Sequence, residues 1–82
     1  MEAALAIQEY IEYVVLQLID HPESASVLHS ENGNRHEYRI RVHEEDAGRV
    51  IGKNGRTISA IRSLAAAAAS RNDLKIDIEL DE

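Results

Sequence analysis

Residues 50–58 read Val50-Ile51-Gly52-Lys53-Asn54-Gly55-Arg56-Thr57-Ile58, with two glycines interrupting an apolar and basic stretch. Glycine has no Cβ, so it adopts backbone conformations closed to other residues and lets a second backbone approach closely. The residues on either side favour helices, which predicts that one helix ends at Gly52 and another begins after Gly55. The four residues Gly52 to Gly55 are therefore predicted to form a tight loop between two helices.

Both flanking helices have support in the sequence. Upstream, Glu44-Glu45-Asp46 places negative charge where a helix would begin, which suits the positive end of the helix dipole, so a short helix is predicted up to Ile51. Downstream, apolar residues recur at spacings of three and four from Ile58 to Ala68. The alanine run is a strong helix former, so the second helix is predicted to reach about Arg71.

The loop has the chemistry of an anion site. The first turn of a helix carries unpaired N–H groups and a partial positive charge. Lys53 stands at the loop tip, and Arg49 and Arg56 flank it. A lysine reaches a phosphate as a mobile point charge. This combination predicts that the loop holds a sugar-phosphate backbone.

One more helix and one clear strand lie at the two ends of the chain. From Ala3 to Ile19 apolar residues recur with helical spacing, and Asp20-His21-Pro22 ends the pattern because proline disfavours a helical residue before it. At the other end, Asn72-Asp73 interrupts the helical pattern. Leu74–Leu80 then alternates apolar and polar side chains, as a half-buried strand does.

Two short segments between these elements, Ala25–Glu31 and Arg35–His43, are predicted to form a β-hairpin. Asn32-Gly33 is a strong hairpin signal, because both residues tolerate the positive φ of a two-residue turn. With that turn, Val27 would lie opposite Tyr38, and apolar side chains of both strands would share one face of the hairpin.

The predicted element order is helix, strand, strand, helix, loop, helix, strand. Such an order gives an α+β sandwich in which helices pack on one face of a three-stranded sheet. A chain of 82 residues has enough apolar surface for one hydrophobic core, so residues 1–82 are expected to be a single domain.

The charges are unevenly distributed along the chain. The formal net charge is −6, from fifteen acidic and nine basic residues. Taken alone, that total disfavours a partner made of phosphates. Residues 47–72, however, contain five lysines and arginines and no acid. Because charge interactions are screened beyond about 8 Å at physiological salt, a positive field at the loop is compatible with the negative total.

Enzymatic chemistry has little support in the sequence. The chain has no cysteine, which excludes a thiol nucleophile and a thiolate-bound zinc site. Ser59 and Ser63 lie in the predicted second helix with no histidine near them in sequence. A P-loop needs four residues between its glycines, whereas Gly48 and Gly52 are separated by three. We therefore predict no enzyme, no cofactor and no small-molecule substrate.

The four histidines do not form a metal-binding pattern in the sequence. His21, His29, His36 and His43 lack the i, i+4 spacing of helical metal sites, so we interpret them as surface or turn residues and predict no metal. The hairpin register described above would make His29 and His36 cross-strand neighbours.

The sequence favours a cytoplasmic protein without membrane contact. No stretch approaches the roughly 20 apolar residues that a membrane span requires. The start of the chain, Met1-Glu2-Ala3-Ala4, lacks the basic residues that begin a secretory signal.

Residues 50–58 resemble the VIGxxGxxI signature of KH domains, whose loop clamps about four nucleotides of single-stranded nucleic acid. The element order is similar to the type II, bacterial arrangement of that family, and the chain length resembles that of the small single-KH bacterial RNA-binding proteins of the KhpA family. The resemblance implies single-stranded RNA as the partner. It also implies a set of RNA-binding residues, which are Arg49, Val50, Ile51, Gly52, Lys53, Asn54, Gly55, Arg56 and Ile58.

The same resemblance assigns roles within this set. The residues Gly52–Gly55 would contact phosphates and sugars. Val50, Ile51 and Ile58 would supply apolar surface beneath the bases or in the core behind them, with Ile51 the first choice for the groove. The family further implies pairing, as a homodimer or with a KhpB-like KH protein, and a role as a global RNA-binding or RNA chaperone factor.

Two other functional classes fit parts of the pattern. The acidic composition and the alanine-rich helix suit a KH scaffold used for protein–protein assembly, with weak or no RNA binding. A helix-turn-helix DNA reader would need a longer helix before the turn and more hydrogen-bond donors on the outer face of the second helix. That face carries Ser59, Ala60, Ser63 and Ala67.

Overall fold

The computed structural model describes residues 2–81, which fold in the order α-β-β-α-α-β. The elements are α1 (Ala3–Leu18), β1 (Ser26–Asn32), β2 (Arg35–Arg41), α2 (Ala47–Ile51), α3 (Arg56–Arg71) and β3 (Lys75–Asp81). Short 3₁₀ turns cover Pro22–Ser24 and Glu44–Asp46, and Lys53–Gly55 forms a turn whose backbone angles are not helical. The predicted order is confirmed, and the predicted ends of the elements lie within two residues of the observed ones.

The two long helices, α1 and α3, contain sixteen residues each and pack against each other. Each has a buried stripe at spacings of three and four, formed by Ala4, Ile7, Ile11 and Val15 in α1 and by Ile58, Ile61, Ala65 and Ala69 in α3. The alanines of α3 leave room for close helix packing. Across residues 2–81, every helix is too short or too polar to pass through a lipid bilayer.

The sheet has the order β1-β2-β3, so β2 is the central strand. It pairs antiparallel with β1 and parallel with β3. A parallel partner requires a crossover connection, and here that connection contains α2, the loop and α3. The loop therefore lies within the segment that returns the chain from β2 to the opposite edge of the sheet.

The hairpin turn differs from the predicted one. Asn32 belongs to β1 and pairs with Arg35, so the turn residues are Gly33 and Asn34 and not Asn32 and Gly33. Gly33 has φ +66°, as the first central residue of a type II′ turn requires. Val27 consequently lies opposite Ile40, and the predicted pairing with Tyr38 is wrong.

A shift of two residues keeps every side chain on its predicted face, because the period of a strand is two. The face toward the helices buries Tyr38 and Ile40 of β2 completely. The Tyr38 hydroxyl donates a hydrogen bond of 2.7 Å to the carbonyl oxygen of Ala4, which joins the central strand to the first turn of α1. Burial, followed by the nearby charge of Glu2, raises the pKa of this hydroxyl.

The other face of the sheet carries charged side chains that pair with one another. Arg35 pairs with Asp77, and the Nε of Arg41 lies 2.8 Å from a carboxylate oxygen of Asp81. Arg39 lies near the same Asp81 carboxylate, at 3.8 Å. The arginines of β2 are thus engaged with acids of β3 on this face of the sheet.

Candidate nucleic-acid interface

The loop between α2 and α3 is built from left-handed backbone conformations. φ is +77° at Gly52, +59° at Asn54 and +73° at Gly55. Glycine and asparagine are the residues that adopt such values most readily. The N–H of Gly52 bonds the carbonyl of Gly48 at 2.8 Å, which ends α2, and the N–H of Gly55 bonds the carbonyl of Gly52 at 3.1 Å, which closes the loop. The predicted tight loop is thus present at the predicted residues.

The two glycines are required for different reasons. A Cβ on Gly52 would lie 2.2 Å from the Oγ1 of Thr57, so the space beside this glycine is filled by a side chain of α3. A Cβ on Gly55 would meet no other part of residues 2–81 within 4 Å, apart from the immediate chain neighbours. We expected both glycines to make room for a polynucleotide, but the close neighbour at Gly52 is the protein itself.

The positive charges around the loop are not equivalent. Arg49 lies 2.9 Å from a carboxylate oxygen of Asp20, and so it is paired within the protein. Lys53 and Arg56 are exposed, and within residues 2–81 neither forms an ion pair. No side chain in that range caps the first turn of α3 by a hydrogen bond. Lys53, Arg56 and the start of α3 are therefore accessible to an external anion.

The three apolar residues of the predicted set divide between the core and the surface. Val50 is fully buried and Ile58 is 7% exposed, so both belong to the core behind the loop. Ile51 is half-buried and is the member of the three with an accessible side chain. The sequence left open whether these residues lie beneath the bases or in the core, and the structure places Val50 and Ile58 in the core.

The remaining arginines of α3 lie away from the loop. The Nε of Arg62 donates a hydrogen bond of 3.0 Å to the carbonyl oxygen of Ile78, which ties α3 to β3. Arg71 is exposed at the last turn of α3, where a cation is favoured by the helix dipole. Neither residue extends the candidate interface.

Asp46 is a positioning residue that the sequence interpretation missed. It is 1% exposed and directly precedes α2. Its two carboxylate oxygens accept hydrogen bonds from the backbone N–H of Asp20, at 3.1 Å, and of His21, at 3.0 Å. Burial alone would raise the pKa of this carboxyl group, but those two hydrogen bonds, with His21 and Arg49 nearby, lower it below the ordinary value.

Asp46 therefore holds the segment after α1 against the start of α2. The sequence interpretation treated this aspartate only as a charge at a helix start, because its partners lie 25 and 26 residues earlier in the chain. No local sequence signal connects residues so far apart.

The histidines lie in two pairs. His29 Nε2 and His36 Nδ1 are 2.7 Å apart, although the observed register places His29 opposite Tyr38, so the contact is diagonal. His21 and His43 stack with ring centroids 4.2 Å apart, and this second pair was not expected. His21 follows α1 and His43 follows β2, so the fold alone brings them together.

Comparison with known proteins adds to this geometry. The family model described as "KhpA/KhpB, KH domain" matches residues 8–80. "RNA-binding protein KhpA" of Listeria monocytogenes serovar 1/2a is 44% identical over 75 residues, which cover 92% of this chain and 99% of the relative. The proteins of the same name from Chlamydia muridarum and Bacillus subtilis are 39% and 36% identical, covering 92% and 90% of this chain and 96% and 91% of the relatives. No solved structure matches the chain significantly.

The family match includes most of α1, the whole sheet except the end of β3, and both helices around the loop. The mixed three-stranded sheet, with its crossover through α2 and α3, is consistent with the type II KH fold that the resemblance implied. Fold, loop and sequence similarity agree, and the chain belongs to the KhpA/KhpB family of KH domains.

Proposed function

We propose that this chain, as one KH domain over residues 1–82, binds single-stranded RNA without catalysing a reaction. The phosphate backbone would be held at Gly52-Lys53-Asn54-Gly55. The observation that carries the proposal is the loop itself, in which the exposed Lys53 and Arg56 have no ion-pair partner within residues 2–81 and adjoin the uncapped start of α3. The relatives are named as RNA-binding proteins, and this supports the same function.

Each part of the site would have a distinct task. Lys53 would act as a mobile point charge on a phosphate, and Arg56 would offer a planar group with several donors. The first N–H groups of α3 would donate hydrogen bonds to a second anionic oxygen. The half-buried Ile51 would lie under the bases, while Val50 and Ile58 would support it from the core.

The site would bind a single strand weakly. Aromatic platforms contribute roughly 1 to 3 kcal/mol per stacked base, and the segment 47–72 contains no aromatic residue. Tyr38 is buried in the core, and it cannot serve as a stacking surface. Useful affinity would then require a second binding unit, since linked sites raise the effective concentration. We propose pairing with a second copy or with a KhpB-like KH protein, and a global RNA-binding or chaperone role in the cytoplasm.

A double substitution tests the loop assignment. Lys53→Asp with Asn54→Asp places two anions where phosphates would lie, and we expect binding of a labelled single-stranded oligoribonucleotide to be abolished. Ser70→Asp with Arg71→Asp changes the total charge by the same amount at exposed positions in the last turn of α3 and serves as the control. Fluorescence anisotropy measures the binding, and circular dichroism and Tm verify the fold. Unchanged binding by the folded loop variant would refute the proposal.

A second candidate function is protein–protein assembly on the KH scaffold. Large apolar side chains are exposed on the helices, with Leu64 at 63% and Tyr13 at 66% exposure, and such side chains are common at protein interfaces. The test is a pull-down with and without nuclease treatment. Partners that persist after nuclease treatment and are retained by the loop variant would favour assembly over RNA binding.

A further inference from the structure

Three side chains with metal-ligating atoms meet beside the start of α2, away from the loop tip. His21 comes from the segment after α1, His43 from the residues that follow β2, and Glu45 from the 3₁₀ turn before α2. Their ligating atoms all lie within 4.8 Å of one another. The three side chains are partly exposed, at 34%, 36% and 70%, so an ion from solvent can reach them.

The fold holds this cluster in place before any ligand binds. Asp46 accepts hydrogen bonds from the backbone N–H of Asp20 and of His21, and it adjoins Glu45 in the chain. The rings of His21 and His43 stack at 4.2 Å. The buried carboxylate thus fixes the segment after α1 against the start of α2, and the stacking contact adds His43.

Two of the three separations between ligand atoms lie near those around a tetrahedral ion. Zinc bound to nitrogen and oxygen at about 2.0 to 2.2 Å has ligand atoms about 3.3 to 3.5 Å apart. The Oε1 of Glu45 lies 3.2 Å from the Nε2 of His21 and 3.8 Å from the Nδ1 of His43. The two rings now stack with 23° between their planes, so one ring must rotate out of the stack before both nitrogens can point at the same ion.

We propose that His21, His43 and Glu45 form a binding site for a divalent transition-metal ion, with Zn²⁺ the best match and water in the fourth position. Two imidazoles and one carboxylate suit zinc, copper or nickel, whereas magnesium and calcium prefer oxygen ligands throughout. The site is separate from the proposed RNA-binding loop and does not depend on it.

One neighbouring side chain favours metal binding at His21, and one existing hydrogen bond opposes metal binding at His43. The Nδ1 of His21 lies 3.6 Å from the Oε1 of the exposed Glu23, and a rotation of Glu23 would let this carboxylate accept the ring N–H and leave Nε2 free for the ion, an arrangement common around metal-bound histidines. The Nδ1 of His43 accepts the backbone N–H of Glu45 at 3.1 Å, and metal binding at this atom gives up that hydrogen bond. The N–H of Glu45 lies at an exposed residue, where water replaces the lost partner.

A bound ion would join the segment after α1, the end of β2 and the entry to α2. Ligands that bind only the folded state stabilise it by mass action. With zinc at about 100 times its Kd, Tm should rise on the order of 10 °C in a domain of this size. Magnesium at millimolar concentration should leave Tm unchanged.

The first experiment is a zinc titration of the full chain without a polyhistidine tag, followed by calorimetry and by competition with a chromophoric chelator. We expect one Zn²⁺ per chain with a Kd on the order of micromolar. Glu45→Gln should weaken binding about tenfold or more. Glu44→Gln removes the same charge from the neighbouring exposed residue and should leave the Kd unchanged. Both substitutions lie at exposed side chains, so folding is retained in both variants.

A second measurement locates the ion without a substitution. In NMR spectra, zinc should shift the ring signals of His21 and His43 and leave those of His29 and His36 in place. His29→Ala, in the other histidine pair, should retain full zinc affinity. Absence of stoichiometric binding at 100 µM Zn²⁺, equal losses in Glu44→Gln and Glu45→Gln, or shifts confined to His29 and His36 would each overturn the proposal and leave only surface ion pairs at His21.

Discussion

Gly52 illustrates how one residue can be restricted by packing inside a binding loop. Its left-handed φ and its contact with Thr57 both exclude a side chain. The sequence predicted the loop and its glycines, because helix signals end and resume around them. It did not predict the contact with Thr57, because the distance between two residues five apart depends on the exact loop conformation.

The two loop glycines should respond differently to alanine. Gly52→Ala combines a left-handed alanine with a steric clash, so we expect a loss of about 2 to 4 kcal/mol in the free energy of unfolding. Gly55→Ala has nearly the same φ without the clash and should cost about 1 kcal/mol. Urea denaturation of both variants checks the difference. Equal losses would contradict the role assigned to Thr57.

The buried hydroxyl of Tyr38 should make stability sensitive to alkaline pH. Its pKa is raised in the folded state, so its contribution is complete below about pH 10, the unfolded value, and is lost as pH rises through the higher folded value. Tyr38→Phe should cost about 1 kcal/mol at neutral pH and remove this part of the alkaline loss. Tyr13→Phe, at an exposed tyrosine, is the control and should do neither. Urea denaturation at neutral pH and above pH 10 checks both effects.

At the scale of elements, the helices and strands follow from periodicity, and the pairing register does not. A shift of two residues in the hairpin leaves the buried and exposed faces unchanged, so alternation in the sequence is equally compatible with both registers. The choice depends on the turn. Gly33 takes the first central position, and Asn32 pairs with Arg35 in the ladder. Periodicity also does not predict which histidines pair, because both histidine pairs depend on tertiary contacts.

Substitutions at the turn distinguish the two registers. Asn32→Thr places a good strand former in β1 and should change the free energy of unfolding by less than about 0.5 kcal/mol. Gly33→Ala forces a left-handed alanine and should cost about 1 to 2 kcal/mol. Thermal denaturation measures both variants. If Asn32→Thr were the more harmful change, the Asn32-Gly33 turn would be the correct one.

At the scale of the whole molecule, positive charge is concentrated in a protein of net charge −6. The acids of β3 pair with arginines of β2 on the outer face of the sheet, whereas the segment 47–72 contains no acid. The sequence predicted this segregation. It did not predict that Arg49 would be paired with Asp20, which leaves Lys53 and Arg56 as the accessible cations of the loop.

Two accessible cations set the salt dependence of RNA binding. For single strands, the logarithm of the binding constant falls with the logarithm of salt concentration by about 0.7 per neutralised phosphate, so two contacts give a slope of about −1.4. Lys53→Gln should reduce the magnitude of this slope by about 0.7. Arg39→Gln, on the outer face of the sheet near Glu37 and Asp81, should leave it unchanged. Binding titrations at several salt concentrations provide the check.

The contact between Gly52 and Thr57 also has a consequence for which loop positions can be substituted in related proteins. Any related protein that keeps this loop conformation would need glycine at position 52, whether or not it still binds a nucleic acid. Lys53 and Asn54 have exposed side chains, so both positions would tolerate substitution in a protein that no longer binds the ligand. In distant relatives, the first glycine would then mark inherited architecture, and the two residues after it would mark a function still in use.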